Sequence, residues 1–171
     1  MDLSLNCPAF CVADIEAGQI EVVHLSHVNN KKKTKWTHAQ KLNETSQHIR
    51  QLLKDYGPFD DVVRERGFSQ YNKTTQVLFK TVGISDLTLY EYADVLSVVE
   101  YPPTTIKQTI TGTGKAKKDE VADAVRKFLK DEQKDIHFET DDESDSVAVA
   151  ITYAIKNNLL PQPLNRQAVG Y

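Results

Sequence analysis

Residues 106–118 read Ile-Lys-Gln-Thr-Ile-Thr-Gly-Thr-Gly-Lys-Ala-Lys-Lys, and they form the most distinctive stretch in this chain of 171 residues. Its first and last lysines, Lys107 and Lys118, flank the sequence Gly112-Thr113-Gly114. A Gly-Lys pair hints at a phosphate-binding loop, but the other positions of that motif do not match. Because the stretch is rich in glycine and threonine, residues 104–114 are predicted to form a polar, turn-rich connection.

Four acidic residues elsewhere in the chain are candidates for a metal site. Asp142 and Asp145 are three residues apart, so on a helix they would share one face. Asp2 lies at the start of the chain, and Glu65 ends a short apolar segment. Carboxylates that converge from different elements can hold two divalent metal ions, which clamp the attacking and leaving oxygens of a phosphodiester. The set therefore points to a nuclease.

Each of these acids also has an ordinary structural interpretation. Asp142 and Asp145 could form an acidic helix start that complements the helix dipole. Glu65 could be a surface glutamate paired with Arg64 or Arg66, instead of a side chain in the crevice at the carboxyl end of a sheet strand. The residues alone leave these alternatives open.

The charge distribution is more informative than the total charge. A formal net charge of −3 argues weakly against nucleic acid as a partner, because such proteins are usually basic. Acidic residues crowd 131–145, however, whereas basic residues form two clusters. The first cluster is Lys31, Lys32, Lys33 and Lys35, and the second is Lys107, Lys115, Lys117 and Lys118. An acidic pocket within a basic surface fits a metal-dependent enzyme acting on a polyanion, although ordinary solvated faces would look similar.

Length and composition predict a single cytoplasmic domain. The chain can bury a sizeable core, and it has no apolar run of about eighteen residues that would cross a membrane. Its N-terminus lacks the pattern of a secretory signal. Cys7 and Cys11 are too few for a disulfide framework and are expected to be reduced, buried small hydrophobes.

Hydrophobic periodicity predicts an α/β fold in which a mixed sheet has helices on both faces. The predicted strands are 2–14, 19–28, 61–66 and 96–101, and the predicted helices are 37–56, 71–81, 85–93, 118–129 and 142–157. Gly83 is expected to separate the second helix from the third. Residues 1–158 are predicted to form the domain and residues 159–171 a C-terminal tail without periodicity.

Three stretches together resemble the RuvC family of Holliday junction resolvases, within the RNase H-like (retroviral integrase) superfamily. Asp2-Leu3-Ser4-Leu5-Asn6 resembles the family's first-strand aspartate and its tight turn, although the family's Asp-Pro-Gly is Asp2-Leu3-Ser4 here. Residues 106–118 are similar to the family's Val-Lys-Gln-Thr-Val-Val-Gly-x-Gly-x-Ala-x-Lys stretch. Residues 142–152 resemble its Asp-Ala-x-Asp-Ala-Leu-Ala-x-Ala helix. The order and spacing match from Asp2 to about Tyr153, with the divergence of a phage-type member.

The resemblance implies an RNase H-like fold and a homodimeric endonuclease that resolves four-way junctions, and also other branched DNA, by paired nicks. It implies that Asp2, Glu65, Asp142 and Asp145 hold two Mg²⁺ or Mn²⁺ ions in each active site. Lys107 would contact the scissile phosphate, and Lys118 would neutralise charge developing on the phosphoryl group. The remaining lysines of the two clusters would bind DNA: Lys31, Lys32, Lys33, Lys35, Lys115 and Lys117.

The sequence is compatible with more than one role for several residues. Phe68 stands where the family has a base-stacking aromatic residue, but it could be an ordinary apolar residue after a turn. The segment 71–82, with apolar Val77, Leu78 and Phe79, is a candidate dimer interface or part of the core. Because fold alone does not settle function, cleavage of RNA–DNA hybrids and non-catalytic junction binding remain alternative functions.

Overall fold

The computed structural model describes residues 1–67, 72–95 and 97–161. The strands are β1 (Ala9–Glu16), β2 (Gln19–His27), β3 (Val63–Glu65) and β4 (Val99–Tyr101). The helices are α1 (His38–Tyr56), α2 (Asn72–Ala93), α3 (Pro103–Thr111), α4 (Lys118–Arg126) and α5 (Asp141–Lys156), with a 3₁₀ turn at Asp131–Gln133. Within the described part of the chain, no helix combines the length and apolar content needed to span a bilayer.

The first two strands form an antiparallel hairpin that runs from the pair Ala9 and His27 to the pair Glu16 and Gln19. Its two-residue turn is Ala17-Gly18, with φ angles of 50° and 76°. Positive φ at both positions matches the right-handed twist of the flanking strands. The turn is therefore shorter than the sequence alone suggests.

Two residues at the start of the chain join this hairpin to the second pair of strands. The backbones of Asp2 and Ala9 exchange two hydrogen bonds of 2.9 Å. On the other side, the Met1 nitrogen donates to the Val63 carbonyl at 2.8 Å, and the Glu65 N–H donates to the Met1 carbonyl at 3.1 Å. Since β3 and β4 are parallel, the spatial order is β2, β1, residues 1–2, β3 and β4, a mixed sheet.

The prediction of one continuous strand over 2–14 is therefore wrong. Asp2 pairs antiparallel with Ala9, so the chain reverses direction between them. Ser4 stabilises this reversal, because its hydroxyl oxygen accepts a 2.9 Å hydrogen bond from the Cys7 N–H. Cys7 is buried and Cys11 half-buried, and both are free thiols.

Alternation along β1 directs side chains into two cores, one on each face of the sheet. Phe10 and Val12 belong to the core shared with α1 and α2. Cys11, Ala13 and Ile15 contact the core shared with α3, α4 and α5. Helices therefore cover both faces, and the predicted α/β architecture is confirmed.

Helix α1 begins and ends where the sequence predicts. Thr37 is its N-cap, and a reciprocal capping box joins Thr37 to Gln40, which satisfies two free backbone donors. Ile49 and Leu52 on its inner face are buried against the sheet.

Helix α2 is continuous, so the predicted break at Gly83 is wrong. A Cβ atom at Gly83 would meet nothing within 4 Å, which places this residue on the exposed face. Contacts on the opposite face hold the helix through this weak position, including a 2.7 Å hydrogen bond between Ser46 of α1 and Thr88. Tertiary packing thus outweighs the helix-weakening effect of one glycine.

The predicted turn-rich connection at 104–114 is also wrong over most of its length, because it forms α3. Pro103 occupies the first turn, where the missing N–H and fixed φ of proline favour helix formation. Ile106 and Ile110 lie one turn apart and are both buried. Gly112, with φ of 82°, ends the helix in a left-handed conformation.

Helix α5 lies at the centre of the larger core. Val147, Ala148, Ile151 and Ala154 are fully buried, and the Thr140 side chain caps the helix start. The predicted helix over 142–157 is confirmed to within one residue at each end. Helix α4 ends at Arg126 instead of the predicted 129, and β3 and β4 are shorter than predicted.

The domain boundary at 158 stays a prediction. Leu160 is buried in the larger core, so packing continues to at least this residue. Residues 162–171 and Phe68 lie outside the described residues.

Candidate active site

Three carboxylates from two separate parts of the fold meet at one end of the sheet. Asp2 comes from the two-residue segment between β1 and β3, whereas Asp142 and Asp145 lie in the first turns of α5. One carboxylate oxygen of each residue lies within 4.8 Å of the others. All three side chains are half-buried, so water screens the repulsion between their negative charges only in part.

The crowding and burial shift the protonation equilibria of these acids. Burial, and then the charges of Glu65, Asp145 and Asp142, raise the pKa of Asp2 to about 8. Burial and the charge of Asp145 raise the pKa of Glu65 to about 7, against the opposing effect of nearby lysines. Burial also raises the pKa of Asp145. Ionisation of all these acids at once is therefore unfavourable without a bound cation.

Glu65 does not pair with the arginines beside it in sequence. The Arg64 guanidinium is buried and bonds to Asp86 and, at 2.7 Å, to Glu100. Arg66 lies 3.6 Å from Glu100. The alternative of a surface glutamate in an ion pair with one of these arginines is therefore excluded. Glu65 is not one of the three carboxylates within 4.8 Å of one another, but it is near enough for its charge to raise the pKa of Asp2.

Lys118 lies at the edge of the carboxylate cluster, close to three aspartates. Its Nζ lies 3.6 Å from both Asp141 and Asp145 and 3.9 Å from Asp142. Burial lowers the pKa of Lys118, but the charges of these aspartates outweigh burial and raise it overall. The ammonium group is therefore fixed as a cation beside the site.

The glycine-containing loop joins the two helices that carry Lys107 and Lys118. Lys107, half-buried on α3, is close enough to lower the pKa of Glu65 and of Asp145. Gln108, the next residue, donates to the Gly112 carbonyl at 2.6 Å and accepts from the Gly114 N–H at 3.1 Å. These two hydrogen bonds stabilise the conformation of the loop between α3 and α4. Lys118 is the first residue of α4.

A buried residue between the two α5 aspartates was not recognised in the sequence. Glu143 is 4% exposed; one of its oxygens lies 2.8 Å from His27 Nδ1, and the other accepts the Glu139 N–H at 2.7 Å. Both oxygens are therefore engaged, and Glu143 braces the start of α5 against the end of β2. The sequence does contain a signal for this role, because Glu143 is an acidic residue on the predicted apolar face of α5.

The lysine loop between β2 and α1 lies beside the same carboxylates. Lys31 Nζ is 3.8 Å from an Asp142 oxygen. Lys33 bonds to Glu44 at 2.8 Å and lies over the Trp36 ring. The other lysines assigned to DNA contacts are exposed: Lys32, Lys35, Lys115 and Lys117.

The residues present suit divalent cations. Carboxylate oxygens are the ligands that Mg²⁺ and Mn²⁺ prefer, and the raised pKa values of Asp2 and Glu65 show charge that a cation would stabilise. The Cys7 thiol lies near Asp142, but burial and that contact raise the pKa of Cys7 to about 11, so the thiol stays protonated. The donor set is thus hard oxygen alone.

A mixed sheet with helices on both faces and a carboxylate cluster beside its central strands define an RNase H-like protein with a candidate cation site. Comparison with known proteins narrows this class. The family model of crossover junction endodeoxyribonuclease RuvC matches residues 1–153. The chain therefore belongs to the RuvC family.

Individual relatives and solved structures agree with this assignment. The chain is 34% identical over 114 residues to crossover junction endodeoxyribonuclease RuvC of Synechococcus sp. WH7803, covering 67% of this chain and 70% of the relative. It is 33% identical over 114 residues to the enzyme of Prochlorococcus marinus MIT 9313, with the same coverage. RuvC of Thermus thermophilus, solved with a Holliday junction substrate, has a TM-score of 0.76 at 21% identity and covers 92% of both chains. The predicted family, fold class and enzyme class are confirmed.

Proposed function

We propose that this chain is a structure-selective, metal-dependent DNA endonuclease that resolves four-way junctions by paired nicks. The observation that supports it most directly is the convergence of Asp2, Asp142 and Asp145 within 4.8 Å, with the cationic Lys118 at the rim. The activity matches that of the family to which the chain belongs. Since the substrate is DNA, we expect the protein in the cytoplasm of a bacterial or phage-infected cell.

The four acids would form the metal site. Asp2, Glu65, Asp142 and Asp145 would hold two Mg²⁺ or Mn²⁺ ions, which would supply a nucleophilic water and stabilise the leaving oxygen. Because the pKa values of Asp2 and Glu65 are about 8 and 7, both carboxyls retain protons for part of the time near neutral pH. Cation binding would displace those protons.

The two lysines of the glycine-containing stretch would act on the phosphate. Lys118 stands 3.6 Å from Asp145, so a phosphodiester bound at the carboxylates would meet a fixed positive charge. Such preorganised charge stabilises negative charge that develops on the phosphoryl oxygens. Lys107 of α3, whose charge opposes the rise in the pKa of Glu65 and Asp145, would contact the scissile phosphate and hold it in place.

The exposed lysines would position the DNA backbone without reading its sequence. Lys31, Lys32, Lys33 and Lys35 lie in the loop between β2 and α1, where Lys31 is 3.8 Å from Asp142, and Lys115 and Lys117 lie in the loop before α4. Phosphate neutralisation by such residues releases counterions. Junction affinity should therefore fall steeply as salt concentration rises.

A second copy of the chain would supply the second nick. A four-way junction has approximate two-fold symmetry, which a symmetric dimer matches. Helix α2 presents an exposed stripe at helical spacing, with Phe79, Leu87 and Tyr90 at 60%, 49% and 56% exposure. Leu78, by contrast, is half-buried, and its side chain lies against Gly67. The proposed interface is therefore this stripe.

A cleavage assay tests the proposal. A labelled four-way junction, a splayed fork, a plain duplex and an RNA–DNA hybrid are incubated with Mg²⁺ or Mn²⁺. Wild type is compared with Asp145→Asn and with Asp141→Asn, an exposed neighbour outside the close trio. Loss of a direct ligand should reduce cleavage by at least about 100-fold, since even outer partners of a metal site matter by 10- to 100-fold. Asp141→Asn should stay within about 3-fold, because exposed ion pairs contribute little.

The result of this assay distinguishes the proposed resolvase from the two alternative functions. Symmetrical nicks in the junction that Asp145→Asn abolishes, while binding persists, support the resolvase. Binding without cutting by wild type would indicate a junction-binding protein, and cutting of the hybrid alone would indicate a nuclease of RNA–DNA hybrids. Undiminished cutting in excess chelator would rule out a metal-dependent reaction.

A further inference from the structure

Trp36 is an exposed aromatic residue in the most basic loop of the protein. It is the only tryptophan in the chain, and 37% of it is exposed. The exposed Lys31, Lys32 and Lys35 precede it in the loop, and Lys32 and Lys35 make no ion pair among the described residues. Aromatic rings set among unpaired cations are the combination that binds single nucleic acid strands, through base stacking and backbone attraction.

The indole ring is held in place before any ligand arrives. Lys33 Nζ lies 4.3 Å from the ring centroid, and the same ammonium bonds to Glu44 of α1 at 2.8 Å. The backbone N–H of Trp36 also donates to the Lys33 carbonyl at 3.1 Å, which orders the backbone that carries the ring. A side chain that is already ordered loses little conformational entropy when a ligand stacks on it.

The loop is anchored to the segment that bears the active-site aspartate. Asn30 is fully buried, and its side chain donates to the Leu5 carbonyl at 3.1 Å and to the Lys41 carbonyl at 3.3 Å. Its backbone N–H donates to the Asn6 carbonyl at 2.9 Å. The position of the loop relative to the carboxylates is therefore fixed by the fold.

The distance to the site suits DNA. Lys31 Nζ is 3.8 Å from Asp142, and the five residues of chain from Lys31 to Trp36 span at most about 18 Å. This length corresponds to about five base-pair steps of duplex at 3.4 Å each. A strand cut at the carboxylates would thus pass within reach of the indole.

We propose that Trp36 is a base-stacking site, on which an unstacked nucleobase of branched DNA rests while the strand is bound at the active site. This inference depends on the proposed function, because it assumes a DNA substrate. The ring would add affinity for any base, since every base has an aromatic face. It would therefore favour distorted or unpaired DNA over a regular duplex without imposing a sequence preference.

The fluorescence of Trp36 reports on this site directly, because no other tryptophan contributes. Asp145→Asn protein is titrated with an unlabelled four-way junction in Mg²⁺ under selective tryptophan excitation. Binding is followed in parallel by the anisotropy of a labelled junction. We expect emission to be quenched in step with binding, and access of acrylamide to the ring to fall at least about 3-fold. A regular duplex of equal length should quench less. Unchanged emission and acrylamide access in the saturated complex would overturn the inference.

Substitutions give a second measurement. Trp36→Ala should weaken junction binding about 5- to 150-fold, the range that stacking of one base spans, whereas Trp36→Phe should retain affinity to within about 3-fold. Val23→Ala, at an exposed apolar residue of β2, is the matched control and should bind like wild type. Circular dichroism and thermal unfolding verify that each variant is folded.

The outcomes distinguish this inference from the proposed function. If wild type neither binds nor cuts branched DNA, the proposed function fails and the stacking site fails with it. If wild type binds and cuts while Trp36→Ala binds equally well, the stacking site alone is wrong. Equal losses in Trp36→Phe and Trp36→Ala would also contradict stacking, because phenylalanine keeps an aromatic face.

Discussion

At the scale of single residues, ionisation of the carboxylate cluster lowers the free energy of unfolding of the metal-free protein. Asp2 has a pKa of about 8 in the folded state, well above the value of about 3.9 in an unfolded chain. Between these values the folded state binds more protons than the unfolded state. The stability that protonated Asp2 provides is therefore present at low pH and is lost as pH rises from about 4 to about 8.

We predict that Asp2→Asn stabilises the metal-free protein at pH 8. The amide removes the buried charge, and a gain of about 1 kcal/mol or more would raise the midpoint of thermal unfolding by at least about 2–4 °C. The difference should be small near pH 4, where Asp2 is protonated in the folded state and about half protonated in the unfolded chain. Thermal unfolding in excess chelator at both pH values measures this. Asp14→Asn, at an exposed residue of β1, is the control, and an equal effect there would exclude the explanation.

Glu143 shows a second kind of residue, one that supports the site without facing it. We predict that Glu143→Ala lowers the free energy of unfolding by about 1–3 kcal/mol, because His27 and the Glu139 N–H lose their buried acceptor. Cleavage should fall further than stability explains, since Asp142 and Asp145 lie on the turn that Glu143 braces. Urea unfolding and cleavage at saturating Mg²⁺ measure the two effects. Glu139→Gln, an exposed neighbour, should change neither, and a silent Glu143→Ala would disprove the bracing role.

At the scale of elements, α3 and the loop after it connect Lys107 to Lys118, the two lysines proposed to act on the phosphate. Gln108 closes this loop with two side-chain hydrogen bonds. We predict that Gln108→Ala reduces cleavage about 10-fold, as loss of an outer positioning partner does. The free energy of unfolding should change by less than about 1 kcal/mol, because these bonds are exposed.

A glutamine elsewhere provides the comparison for Gln108. Gln51 of α1 also makes two exposed side-chain hydrogen bonds, both to Asp55 at 2.8 Å. Gln51→Ala removes the same chemistry from a helix outside the site, so its cleavage rate should match wild type. If Gln108→Ala and Gln51→Ala cleave equally fast, the Gln108 hydrogen bonds have no role in positioning the lysines.

The elements also show what the sequence could and could not predict. Asp142 and Asp145 were predictable as a pair because their spacing follows the local helical period, and Thr37 because capping is local chemistry. Helix α3 was missed because Pro102 and Pro103 resemble breakers, although proline fits a first helical turn. Apolar Ile106 and Ile110 were its only inward-facing signal.

Contacts between distant parts of the chain were beyond local patterns. His27 and Glu143 are 116 positions apart, and neither periodicity nor spacing joins such residues. The same holds for the reversal that pairs Asp2 with Ala9, since an apolar alternation continues through it. Gly83 misled in the opposite direction, because burial of the far side of α2 maintains a helix that propensity alone would end.

At the scale of the whole molecule, the exposed face of α2 is the feature that the monomer leaves unexplained. Phe79, Gly83, Leu87 and Tyr90 recur at intervals of four, four and three residues, so they form one stripe along the helix. Contiguous exposed apolar surface of this kind marks interaction sites. A glycine in the middle of the stripe would allow two helices to approach closely.

We therefore predict that Leu87→Lys converts the proposed dimer into a monomer and uncouples the two nicks. A charge at the centre of an apolar interface should weaken association by at least about 30-fold, as loss of a central contact residue does. Light scattering after size exclusion measures the mass, and a cruciform plasmid distinguishes paired from single nicks. Val23→Lys, the same change at an exposed valine of β2, should remain dimeric with paired nicks. A dimeric Leu87→Lys protein would place the interface elsewhere, whereas a monomer that still makes paired nicks would show that one subunit suffices for resolution.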